Sequence, residues 1–177
     1  MSEKQCTIKK SVSLTGVGLH TGKKTTITFN PAPENHWYKF QRVDLDGKPI
    51  IDADADLVVD TSRGTVLEKN GARVHTVEHV LAALRGLEID NCLIQVDGPE
   101  MPIMDGSSIK FIEALEAAEV VQQEAERDYF ELKENLTFED PVKRVEMLAV
   151  KQDSFRVTVM VDYNSEVLGT QHAGMYN

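Results

Sequence analysis

The hydrophobic period changes twice along this chain, and the changes limit the folds open to it. Over residues 23–29, Thr25, Ile27 and Phe29 alternate with Lys24, Thr26 and Thr28, the two-residue period of a half-buried strand. Near residue 77 the period lengthens. Val77, Val80, Leu81 and Leu84 fall at i, i+3, i+4 and i+7, on one face of a helix. Alternation returns over 154–163, with Phe155, Val157, Val159, Val161 and Tyr163 on one side. A chain of this kind packs sheets against helices.

The remaining elements follow from local signals. Residues 7–15 read as a strand, and 16–22 as a glycine-punctuated turn. Pro31 and Pro33 close the next strand, 36–43 form another, and Asp46-Gly47 is a turn. Short strands are expected up to Val74. Thr76 is placed to cap the first helix and Gly86 to stop it. Residues 88–96 form a strand that Gly98-Pro99 breaks, and Ser107 is placed to cap a second helix near 108–124. Three strand candidates end the chain, at 129–139, 142–151 and 154–163.

The order predicts an α+β fold: a two-layer domain of sheet on helices over 1–126, then the incomplete start of a second, similar α+β domain over 127–177. The last strands have no helix to cover them. The chain therefore reads as an N-terminal piece of something longer, and an unfinished sheet edge predicts self-association.

Charge narrows the partners. A net charge of −10 repels phosphate backbones and anionic lipid, which argues against nucleic acid. The two cysteines, Cys6 and Cys92, suggest no disulfide framework and fit a reducing compartment. The first residues lack an apolar signal core, and no window approaches the ~20 apolar residues of a transmembrane segment. The expected location is cytoplasmic.

Three stretches carry candidate chemistry. The turn Gly16-Val17-Gly18-Leu19-His20-Thr21-Gly22 resembles a phosphate loop, but its glycine spacing is wrong, Lys24 stands where Ser or Thr is needed, and a strand follows. It reads as a β-turn with His20 at its tip. The second stretch is His75-Thr76-Val77-Glu78-His79. On a helix, His79 shares a face with Ala82, Ala83 and Gly86, so it faces water or a second layer of protein. The spacing His-x-x-Glu-His is that of an inverted zinc metallopeptidase. That reading requires a helix already running at His75, whereas Arg73-Val74-His75 reads as a strand end. The third stretch is Pro99-Glu100-Met101-Pro102-Ile103-Met104-Asp105-Gly106-Ser107-Ser108. Asp105 is there either a helix-capping residue, which residue types alone favour, or an active-site carboxylate.

Taken in order, Gly16 to Gly22, Thr76-Val77-Glu78-His79, Gly86-Leu87 with Ile89-Asp90-Asn91, and Pro102-Ile103-Met104-Asp105-Gly106-Ser107 resemble the zinc-dependent UDP-3-O-acyl-N-acetylglucosamine deacetylases of lipid A biosynthesis. The resemblance extends over essentially the whole chain. It implies two similar α+β domains with an active site between them, and hydrolysis of the N-acetyl group from a UDP-linked, acylated glucosamine. It implies Zn2+ as cofactor, His79 as a metal ligand, Glu78 as the general base and Asp105 as a supporting carboxylate. It also places His20 near the cleft, and Lys143 and Tyr163 at contacts to the UDP group.

One departure matters. The family draws its other two zinc ligands from a downstream His-Lys-x-x-Asp motif, and here the last histidine, His172, is followed by Ala173-Gly174. The family's oxyanion-stabilising histidine and acyl-guiding insert are also missing. A catalytic zinc needs three protein ligands, so these 177 residues are expected to be inactive alone. The competing expectations are the inverted-motif peptidase and a non-catalytic α+β binding module.

Overall fold

The structure is a computed structural model that describes residues 3–176. The chain forms two units, one running through Arg127 and one beginning at Asp128. The first unit is α+β. Its elements are β1 (Lys4–Ile8), β2 (Val12–Val17), β3 (Lys24–Pro31), β4 (Tyr38–Arg42), β5 (Ile50–Asp52), β6 (Val58–Asp60), β7 (Val66–Lys69), β8 (Ala72–His75), α1 (Glu78–Gly86), β9 (Cys92–Val96), α2 (Ile109–Ala117) and β10 (Val120–Glu126).

The main sheet has the order β2-β3-β9-β4-β5. Its pairs are antiparallel except β4 with β9, which run parallel. The alternation in β3 sets its two faces. Thr25, Ile27 and Phe29 are buried. The opposite face carries hydroxyl pairs, Ser13 with Thr28 at 2.8 Å and Thr15 with Thr26 at 3.0 Å. The inner face meets the helices. Val77, Val80 and Leu84 are fully buried, Leu81 packs at the margin, and the Phe111 ring meets Phe29 edge-on with centroids 6.5 Å apart. A pair of that geometry adds about 1 kcal/mol to the burial of the rings.

A three-stranded sheet, β6-β7-β8, and a two-stranded sheet, β1-β10, complete the unit. The second unit consists of two antiparallel hairpins, β11 (Leu136–Asp140) with β12 (Val145–Ala149), and β13 (Arg156–Asp162) with β14 (Thr170–Tyr176). Val157, Val159 and Met175 share one face of the second hairpin and are exposed.

Several expectations need correction. The strand expected over 7–15 is two strands in different sheets, because β1 pairs with β10 and β2 with β3. The second helix ends at Ala117, not near 124. Glu119 turns the chain with φ 62, and Val120–Glu126 then alternates between exposed and half-buried side chains against β1. Its acidic residues resemble a solvated helix face in composition, but the Val120-Val121 pair and the open edge of β1 favour a strand. The strand expected over 129–139 is confined to β11. The first helix also stops differently. Gly86 is its last residue, and the left-handed position belongs to Glu88, with φ 54. Ile89 N–H bonds to Leu84 O at 3.0 Å and Glu88 N–H to Arg85 O at 3.1 Å, which is a Schellman closure without glycine.

Thr76 is not the cap of α1. That position is Val77, which makes no side-chain cap bond. Thr76 stands before it with φ 59, an uncommon conformation for a β-branched residue. At α2 the cap position is Ser108, while the Ser107 hydroxyl accepts from Ile109 N–H at 3.2 Å.

Candidate functional site

The start of α1 lies where the chain leaves β8. His75 is the last residue of that strand, and its N–H and C=O bond to Pro99 O at 2.9 Å and from Met101 N–H at 3.0 Å. The left-handed Thr76 then reverses the path, and Glu78 opens the helix. His75 and His79 therefore sit on different elements. The helix at His75 that the inverted-peptidase motif requires is absent.

Glu78 is half-buried at the first helical position, where a carboxylate is favoured by the helix dipole. Thr65 N–H donates to its Oε2 at 3.1 Å. Its Oε1 lies over Gly64, where a Cβ would come within 3.2 Å. Glycine at 64 thus leaves room for that oxygen. His79 follows, half-buried, with Ala83 buried and Ala82 and Gly86 exposed.

In front of the 61–65 segment is a cleft of about 110 Å³, lined by His20, Asp60, Arg63, Gly64, His75 and Thr76 among others. His20 lies across it, its Nε2 2.7 Å from Arg63 O. A carbonyl only accepts, so Nε2 carries the hydrogen. Burial pushes the His75 imidazole below its ordinary pKa, and the charge of Glu100 partly opposes this.

The residue that organises these loops was not a sequence candidate. Glu100 is 0% exposed. It accepts four bonds: from His20 N–H at 2.9 Å and the Thr76 hydroxyl at 3.2 Å on Oε1, and from Thr21 N–H at 2.8 Å and the Thr21 hydroxyl at 2.6 Å on Oε2. The glycine turn thus closes over a carboxylate supplied by its own chain. The signal in the sequence was a glutamate set among Pro99, Met101 and Pro102, a charge inside an apolar loop.

The other expected site residues lie in both units, and each is described within its own unit. Asp105 is exposed and accepts from Ser107 N–H at 3.0 Å and its hydroxyl at 2.9 Å, which hold its carboxyl below the ordinary range. It borders a separate, open groove with Val17, Ile103 and Lys110. Lys143 and Tyr163 belong to the second unit, and both are exposed. Lys143 N–H bonds to Asp140 Oδ1 at 3.0 Å between β11 and β12, and Tyr163 N–H to Gly169 O at 3.1 Å after β13. Among the described residues, no three His, Cys, Asp or Glu side chains converge to hold a metal. His79 presents one imidazole nitrogen at the start of α1, whereas a catalytic zinc takes three protein ligands. Among the described residues no helix is long and apolar enough to cross a membrane.

Fold and site together define an α+β protein with a loop-held carboxylate beside an imidazole at the start of a helix. Residues 5–176 match the family described as UDP-3-O-acyl N-acetylglycosamine deacetylase, and the chain belongs to that family. It is 49% identical over 170 residues to the bifunctional enzyme LpxC/FabZ of Bacteroides thetaiotaomicron, covering 96% of this chain and 37% of that protein. It is 43% identical over 164 residues to the UDP-3-O-acyl-N-acetylglucosamine deacetylase of Methylococcus capsulatus, covering 93% of this chain and 53% of the relative. For the deacetylase of Myxococcus xanthus the identity is 41% over 170 residues, covering 96% and 54%. The chain thus spans about a third to a half of the length of these relatives.

Proposed function

We propose that the protein to which these residues belong removes the N-acetyl group from a UDP-3-O-acyl-N-acetylglucosamine by hydrolysis, in the cytoplasm, as a step of lipid A biosynthesis. Family membership supports the reaction and the substrate class. The observation that carries the residue assignment is the Glu78 carboxylate, fixed through one oxygen by Thr65 N–H while glycine at 64 leaves space at the other. In this reading Glu78 is the general base that takes a proton from the attacking water, the role for which a carboxylate held in one geometry is suited. Zinc is the implied cofactor, with His79 as one donor to it. The remaining donors are assigned outside these 177 residues, which are therefore inactive alone. Asp105, His20, Lys143 and Tyr163 are assigned to supporting or substrate contacts.

The test is acetate release from the UDP-sugar by the full-length protein. Glu78→Gln should lower kcat at least about a hundredfold with KM little changed. His75→Ala should keep most activity. A full-length protein that releases no acetate, or a Glu78→Gln variant as active as wild type, would sink the proposal.

A further inference from the structure

We propose that Glu100 is a positioning residue for Glu78, acting through the 63–65 segment; this rests on the role given to Glu78 above. Two routes lead from the buried carboxylate to that segment, each made of two consecutive hydrogen bonds. In the first, Thr76 gives its hydroxyl to Glu100 Oε1 at 3.2 Å, while its own N–H donates to Thr65 O at 2.9 Å. In the second, His20 gives its backbone N–H to the same oxygen at 2.9 Å, and its imidazole reaches Arg63 O at 2.7 Å. The segment held on both sides then presents Thr65 N–H to Glu78 Oε2 at 3.1 Å.

The arrangement determines more than local packing. Thr76 keeps φ 59 despite its β-branched side chain. A conformation of that kind persists where surrounding bonds over-determine it, and Thr76 has one bond on each side, to Glu100 and to Thr65. The next residues are Val77 and Glu78, so the direction in which the helix starts depends on Thr76. Glu100 thus governs both the backbone that launches Glu78 and the loop donor that orients its carboxylate. The carboxylate form suits this task. It offers only acceptors, and all four groups aimed at it are donors. A glutamine in its place would turn an N–H2 toward one pair of them.

The experiment uses the full-length protein with two readouts: acetate-release kinetics, and hydrogen–deuterium exchange of the 18–22 and 61–66 segments against the core strands β3 and β9. For Glu100→Gln we expect kcat to fall at least about tenfold with KM within about twofold, and exchange of both loop segments to rise at least about tenfold while β3 and β9 stay unchanged. Glu100→Asp, which keeps the charge, should recover part of both effects. Thr21→Val removes the hydroxyl bond to Glu100, together with the one that hydroxyl accepts from Lys23 N–H at 3.3 Å, and serves if Glu100→Gln does not fold, with the same pattern at smaller size. Unchanged exchange at 61–66, or a uniform rise that includes β3 and β9, overturns the proposal. So does selective loosening of 61–66 with unchanged kcat in an active protein. If wild type releases no acetate, the functional reading fails, and exchange at 61–66 still decides whether Glu100 holds the loop.

Discussion

Thr21 and Glu100 are separated by 79 positions, yet Thr21 places both its N–H, at 2.8 Å, and its hydroxyl, at 2.6 Å, on one carboxylate oxygen of Glu100. Together with the bonds from His20 and Thr76, this turns a loop that resembles a phosphate cradle into the receptor for an internal anion. The first helix, the β2–β3 turn and the 61–65 loop are thereby tied to one buried charge.

That charge has a pH signature. Burial raises the Glu100 carboxyl, and the bonds from Thr21 and His20 lower it; the bonds prevail, so the folded value lies below the ordinary 4.5. A carboxyl depressed on folding stabilises the native state above its ordinary value, and the contribution is lost as pH falls through the folded value. As pH falls below about 5, Tm of wild type should fall more steeply than that of Glu100→Gln. Parallel slopes in thermal melts would remove Glu100 from the acid response.

The turn above it contains two glycines with different needs. A Cβ at Gly18 would lie 2.4 Å from Glu100 Oε2 and 2.7 Å from Thr21 Oγ1, so the demand there is space. Gly22 has φ +64 and nothing within 4 Å, so the demand there is torsional. Gly18→Ala should cost about 3 kcal/mol through overpacking, and Gly22→Ala about 1 kcal/mol through the left-handed backbone. Urea denaturation ranks the two, and a reversed order would contradict this account of the turn.

The sequence made the α+β class legible and singled out two residues of the candidate site, for reasons seen in single residues. Ile27 and Phe29 alternate because one face of β3 is buried, and Val77, Val80 and Leu84 repeat at helical spacing because α1 has a core-facing stripe. Glu78 and His79 stood out because they are adjacent. What was hidden depends on distance along the chain. Glu100 is recognisable only by donors 24 to 80 residues away. Thr76 has the composition of a cap, but its hydroxyl is committed to Glu100 and its backbone to a left-handed turn. The strand β10 is hidden in the sequence because its pairing partner, β1, lies at the opposite end of the unit.

A hydroxyl without a partner offers a stabilising change. Among the described residues, Thr25 Oγ1 is buried with no hydrogen-bond partner. Leaving a buried polar group unsatisfied costs about 1–3 kcal/mol. Thr25→Val keeps the shape and removes the oxygen, so it should raise stability by about 1 kcal/mol. A loss of stability in calorimetry would show that the oxygen is satisfied after all.

Arg127 closes the first unit with a guanidinium whose side chain is 6% exposed. Its Nε reaches the two Asp90 oxygens at 2.9 and 3.0 Å, Nη1 reaches Glu88 Oε2 at 3.2 Å, and Nη2 donates to Glu88 O at 2.6 Å. Asp90 Oδ2 in turn accepts from Cys6 N–H at 2.7 Å, so the cluster ties the end of β10 to β1 and to the chain after α1. Arg127→Met would leave the Asp90 carboxylate, only 15% exposed, without its guanidinium partner. Breaking a buried pair from one side costs about 3–5 kcal/mol, because the surviving charge keeps its desolvation penalty. Removing both charges should cost less, so Arg127→Met with Asp90→Asn should destabilise by less than the sum of the single changes. A double-mutant cycle in guanidinium chloride measures the difference. Strict additivity would mean that Arg127 and Asp90 are uncoupled, and that Arg127 holds the end of the unit through Glu88 and the packing of its aliphatic stem.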